Sequence, residues 1–204
     1  MLGRIVQIVA ALALLLYPFA VYVGLSHWDV RAAALVLLVL IAPAAIARLR
    51  KYRSSEVSAL AFVPLVTVGL LATSAALDAA GFILLVPVFV NLGLLATFGP
   101  TLRWGPPMIE RFARLQEPEL SGPKVSWCRT WTWIWCAFFS LNAAAAAALA
   151  LFAPLRWWTL YNGLIAYGLI GVLFAAEFVL RHLKFGRTGN GAMRESRFTG
   201  GPRP

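Results

Sequence analysis

The chain has 204 residues, 61% of them hydrophobic and only 13% charged, with 18 Lys and Arg against 8 Asp and Glu, a formal charge of +10. Mean hydropathy is +0.79. A disordered chain needs low hydrophobicity, so this composition excludes one. A soluble domain of this length lacks the interior volume to hide so much apolar surface. What remains is an all-α, polytopic membrane bundle with room for six spans of about 20 residues.

The first predicted span is Ile5–Leu25, behind Arg4. Its length suits an uncleaved span better than a signal peptide. The second is 32–47, with Pro43 near its end, and the third is 57–77, with Pro64 in its first half. The fourth is 79–98, with Pro87 inside. These prolines are expected to kink their helices rather than end them, because neighbouring helices satisfy the freed carbonyls. Between spans three and four a tight turn is expected at Asp78–Gly81, since Asp and Gly suit turns. The fifth span is 130–153 and the sixth 159–180. The run Ala143–Ala148 lets helices approach closely, and Gly171 and Ala175 make a second pair of small residues four apart.

The loop 99–126 contains Gly105-Pro106-Pro107 and then Met108-Ile109-Glu110-Arg111-Phe112-Ala113-Arg114-Leu115. Pro107 suits a first helical turn. Ile109, Phe112 and Leu115 fall near one face, and Glu110 and Arg114 are spaced to pair. This reads as a short amphipathic helix on the inner leaflet. Residues 185–204 are rich in Gly, Pro and Arg and read as a flexible basic tail, which leaves 1–184 as one transmembrane domain.

Charge sets the orientation. With both termini cytoplasmic, every Lys and Arg lies inside except Arg31 and Arg156. That asymmetry is the positive-inside signature of a multi-pass membrane protein. It also assigns the basic excess to topology and anionic lipid, not nucleic acid. Trp127, Trp131 and Trp135 recur every four residues where span five enters from the cytoplasm, and Trp157 and Trp158 open span six. All five fit interface anchors; a stacking platform for a flat conjugated ligand is the alternative. Cys128 and Cys136, about 12 Å apart along one helix, are too distant for a disulfide.

Polar residues within spans are costly and are the first place to seek function. Asn91, Asn142 and Asn162 either line a polar cavity that holds a ligand's head or bond between helices. Glu177 joins them as a ligand or catalytic candidate, or else pairs with Arg181 four residues on. Arg103, Arg111, Arg114 and Lys124 are candidate contacts for a lipid headgroup or protein partner. No metal-binding, triad or phosphate-loop motif is present, so no catalytic residue, metal or cofactor is expected.

Four stretches resemble a family of small bacterial inner-membrane proteins found with aryl polyene or xanthomonadin-type pigment gene clusters. They are Pro87-Val88-Phe89-Val90-Asn91-Leu92-Gly93-Leu94-Leu95, the segment Gly105–Leu120, Thr132-Trp133-Ile134-Trp135-Cys136-Ala137-Phe138-Phe139, and Leu160-Tyr161-Asn162-Gly163-Leu164-Ile165-Ala166-Tyr167. The resemblance covers residues 84–184 and implies a context, not a mechanism. It implies an accessory that receives or hands over a conjugated acyl chain, with an acyl-carrier protein or polyene biosynthesis enzymes as partners. A small transporter or permease component and an acyl-transfer enzyme are the alternatives.

Overall fold

In a computed structural model, described here over residues 16–51 and 62–198, the chain is all helix with no strand among the described residues. It divides into two compact units, Met1–Ile165 and Ala166–Pro204, where the sequence predicts one domain over 1–184 and a tail.

In the first unit α1 covers residues 16–27. The start of the first predicted span lies outside the described residues. Trp28 and Asp29 make the turn into α2 (Val30–Lys51), which continues without interruption past Pro43. α3 (Phe62–Leu77) packs along α2. Its C-terminus explains the turn expected at Asp78. The Ala79 N–H reaches back to the Ser74 carbonyl at 3.2 Å, and Asp78 takes φ +52°. That six-to-one bond with a left-handed residue beneath it is a Schellman cap, with Asp in the place glycine usually holds. The buried Ser74 hydroxyl bonds the Ala79 carbonyl at 2.8 Å, and Arg31 Nε takes the freed Ala75 carbonyl at 3.1 Å. The helix resumes at Ala80, so Gly81 lies past the turn.

The predicted fourth span is two helices, α4 (Ala80–Leu84) and α5 (Val86–Phe98). Pro87 stands in the first turn of α5, so here the proline opens a new helix instead of kinking one. A 3₁₀ turn, Gly99–Leu102, leads into the loop that holds α6 (Met108–Arg114), with Pro107 just ahead of it. α7 (Gly122–Phe152) starts well before the predicted Thr130, because Pro123 serves as an opening residue that needs no N–H partner. α8 (Leu155–Leu160) passes into a π-helical segment, Tyr161–Ile165.

The core of this unit gathers Tyr17, Val21, Ala34, Leu37, Ile41, Leu71, Ile83, Val86 and Trp158. A second cluster sets Val88 of α5 against Ala143 and Ala146 of α7. The alanine run thus does what small residues allow and brings two backbones close.

The second unit is α9 (Ala166–Phe198). The helix includes most of the stretch read as a flexible tail. Once a helix is nucleated, each further residue adds a backbone bond, and Ala192, Met193, Arg194 and Glu195 are good helix formers. The last residues, 199–204, lie outside the described residues. Among the described residues two helical stretches, Gly122–Phe152 and Leu155–Phe185, are long and apolar enough to cross a membrane, with mean hydropathies of 1.8 and 2.1.

Candidate functional site: a proline break with an amide relay

The break at Leu85 organises the polar chemistry of the first unit. Pro87 has no N–H, so the carbonyl of Ile83, four residues earlier, loses its helical donor. The interruption at Leu85 also frees the Leu84 carbonyl. An unpaired carbonyl in an apolar interior costs about 1–3 kcal/mol, so each should have found a partner. The Tyr17 hydroxyl donates to the Ile83 oxygen at 2.7 Å, from 66 positions away. The Trp158 indole N–H donates to the Leu84 oxygen at 3.0 Å, from 74 positions away. Both side chains are buried, and their rings meet edge to face at 6.5 Å. Two aromatic donors from opposite ends of the unit therefore close one backbone gap.

The relay begins one step further along. The Asn91 amide N–H bonds the Pro87 carbonyl at 2.8 Å. A carbonyl only accepts, so this contact fixes which way the Asn91 amide faces. Its oxygen then accepts from the Asn142 amide at 3.1 Å, and the Asn142 oxygen accepts from the Tyr161 hydroxyl at 2.8 Å. Three elements (α5, α7 and the π-helical segment) are joined by donors all pointing one way. Asn91 and Asn142 are buried, while Tyr161 is half-buried and ends the chain with its oxygen lone pairs. The π-helical turn re-aims residues 161–165, a device common at functional sites. Gly163 lets α1 cross there: a Cβ at that position would come within 2.9 Å of the Phe19 ring.

The sequence candidates separate accordingly. Asn91 and Asn142 come together. Asn162 does not join them; its amide bonds the Trp158 carbonyl of the preceding turn at 2.9 Å. Glu177 lies in the second unit and pairs with Arg181 at 2.8 Å. Tyr17 and Tyr161 are the site residues that sequence reasoning missed, and Trp158 entered it only as an interface anchor.

The tryptophan assignment needs correction. Trp131, Trp135 and Trp158 are buried within the protein and are not free to reach lipid headgroups. A four-residue period puts side chains on one helical face, and here that face is the one packed inward. Trp131 lies against Trp127, and Trp135 against Phe139, which meets Phe98 of α5 at 5.2 Å. Trp127 is half-buried, whereas Trp157 is exposed. Trp133, off that face, is 61% exposed.

The loop is built rather than loose. The N–H groups of Met108 and Ile109, which open α6, bond the hydroxyls of Thr101 and Thr132 at 3.0 and 3.3 Å. Glu110 is buried and holds Arg114 at 2.6 Å, and Glu117 holds Lys124 at 2.7 Å. Two of the four expected contact cations are therefore committed to the loop's own carboxylates. Arg111 Nε bonds the Pro106 carbonyl at 3.0 Å, and Arg103 lies over Trp104 at 5.9 Å. Phe112 and Leu115 are exposed while Ile109 is half-buried, so α6 does present an outward apolar edge.

The chain matches no family model, no curated protein and no solved structure.

Proposed function

We propose that the chain is a multi-pass protein of the bacterial inner membrane, with six spans and both termini cytoplasmic. In this reading it is a non-enzymatic accessory in the assembly or transfer of an acyl chain or lipid of the aryl-polyene type. The observation that carries the proposal is the loop between α5 and α7. It is anchored through Thr101 and Thr132, yet it turns Trp104, Phe112 and Leu115 outward beside Arg103 and Arg111. A fixed surface that is apolar and basic at once suits an anionic amphiphile or its acidic carrier protein.

The six-span topology draws support from the two long apolar helices and from the shorter ones Val30–Pro43, Leu65–Leu77 and Val86–Leu102. Exposed Val39, Leu141, Leu151, Phe152 and Val172 suit a lipid-facing surface. The non-enzymatic reading draws support from the relay, whose members bond one another and carry no charge at neutral pH. Interface anchoring falls to the exposed Trp28, Trp104, Trp133 and Trp157.

The test is deletion of the gene in its native host, followed by mass spectrometry of extracted lipid. The expected result is loss of polyene-bearing lipid or accumulation of carrier-bound polyene. An extract identical to wild type overturns the proposal. Glu177→Gln separates the acyl-transfer alternative, because an enzyme relying on that carboxylate loses all product whereas an ion pair is dispensable. A small transporter is the second reading, favoured by the helix discontinuity at Leu85 beside buried amides, an arrangement transporters use for substrate sites. It predicts unchanged polyene lipid in the deletion strain and altered uptake or release of another solute.

A further inference from the structure

The positive charge of the loop is not evenly shared. Arg114 and Lys124 are neutralised by Glu110 and Glu117. Arg103, Arg111 and Arg129 have no carboxylate partner among the described residues. Instead Arg111 and Arg129 bond the backbone of the five-residue segment Leu102–Pro106, to which Arg103 itself belongs. Arg129 Nη1 reaches from α7 to the Leu102 carbonyl at 2.9 Å, and Arg111 Nε bonds the Pro106 carbonyl at 3.0 Å. The far nitrogen of Arg111 lies 3.5 Å from where a Cβ on Gly105 would stand. Gly105 makes this possible by taking φ +82°, which turns the segment back on itself. Each arginine spends one edge, or its flat face, on the loop and keeps further N–H groups for an anion. At the tip Trp104 is 69% exposed.

We propose that Arg103, Arg111 and Arg129 with Trp104 form a binding site for the phosphate headgroup of an anionic membrane phospholipid. The proposal rests on the membrane reading above and deepens it by naming the ligand class and the residues. A guanidinium presents forked donors that match phosphate oxygens. An exposed tryptophan beside it fits the headgroup layer, where an amphipathic ring is favoured. A carrier protein would draw on any surface cation, including Arg114 and Lys124. A headgroup needs only the three that remain uncompensated around one short segment.

The experiment is native mass spectrometry of the full chain in mild detergent, with phosphatidylglycerol or phosphatidylcholine added at equal concentration. Preferential retention of phosphatidylglycerol is expected. The Arg103 guanidinium makes no hydrogen bond to the loop backbone among the described residues, and its N–H bond to the Pro100 carbonyl survives substitution, so Arg103→Gln leaves the loop built and should lower retention about fivefold, as loss of one cation near a lipid surface does. Trp104→Ala, which leaves every backbone bond in place, should also lower it. Lys124→Gln should change nothing. Equal retention of the two lipids, or unchanged retention in Arg103→Gln, overturns the proposal. So does loss of acidic acyl-carrier protein binding in Arg103→Gln with lipid retention intact, since the patch would then serve a protein partner. Lipid retention is read on purified protein and the deletion on cell extracts, so either proposal can fail alone.

Discussion

Asn142 shows how much one side chain can hold. It accepts from Tyr161 and donates to Asn91, so Asn142→Leu strands two partners at once. In a membrane interior a single interhelical hydrogen bond averages about 0.6 kcal/mol, with a ceiling of about 1.7. Leaving a buried partner unsatisfied raises the cost toward about 1–3 kcal/mol. Asn142→Leu should therefore destabilise by about 2 kcal/mol in reversible unfolding by a denaturing detergent. Tyr161→Phe strands only the Asn142 oxygen and should cost less, about 1 kcal/mol, the low end of that range. Asn91→Leu combined with Asn142→Leu should cost less than the two single changes added together, because the double variant leaves fewer orphans. Strict additivity would mean the amides do not act as a unit.

At the scale of elements the question is what one proline does. Pro87 removes the donor for the Ile83 carbonyl, and Tyr17 replaces it from α1. Pro87→Ala restores the N–H and lets α4 and α5 join. The Ile83 carbonyl then has a helical partner, and Tyr17 becomes redundant. Tyr17→Phe should thus be expensive in the wild-type chain, by about 1–3 kcal/mol, and cheap in the Pro87→Ala background. The same detergent unfolding measurement, run as a double-mutant cycle, checks it, and a zero coupling energy rules the lock out. Only half of this device is legible in the sequence. Pro87 announces a freed carbonyl, and Asp78 announces the turn before it. Hydropathy and spacing describe each helix separately, so nothing in them says that Tyr17 or Trp158 lies against Ile83 and Leu84. The tryptophan stripe failed for a related reason. A four-residue period shows that Trp127, Trp131 and Trp135 share a face, but which neighbour that face meets is decided by packing. The loop was legible where its contacts are local, as with Glu110 and Arg114, and opaque where Thr132, from a different helix, caps it.

For the whole molecule, the proposed orientation rests on where charge is tolerated. Arg31 and Arg156 are the only basic residues assigned outside, and the six-span reading puts the α1–α2 turn opposite the α5–α7 loop. Both native cysteines are buried, so they stay silent to a membrane-impermeant maleimide and single new thiols report cleanly. Asp29 and Glu119 are exposed, and neither forms an ion pair among the described residues, so Asp29→Cys and Glu119→Cys test the two faces with little disturbance. In intact spheroplasts Asp29→Cys should react and Glu119→Cys should not; after permeabilisation both should react. Between these positions the six-span topology requires three crossings, an odd number, and only an odd number gives opposite labelling. If both thiols react from outside, one of the shorter apolar helices does not cross. The helix broken at Leu85 would be the first suspect, since α4 and α5 are each too short to span about 30 Å of hydrocarbon unaided. The loop would then face the other leaflet, and the anionic headgroup site would move with it.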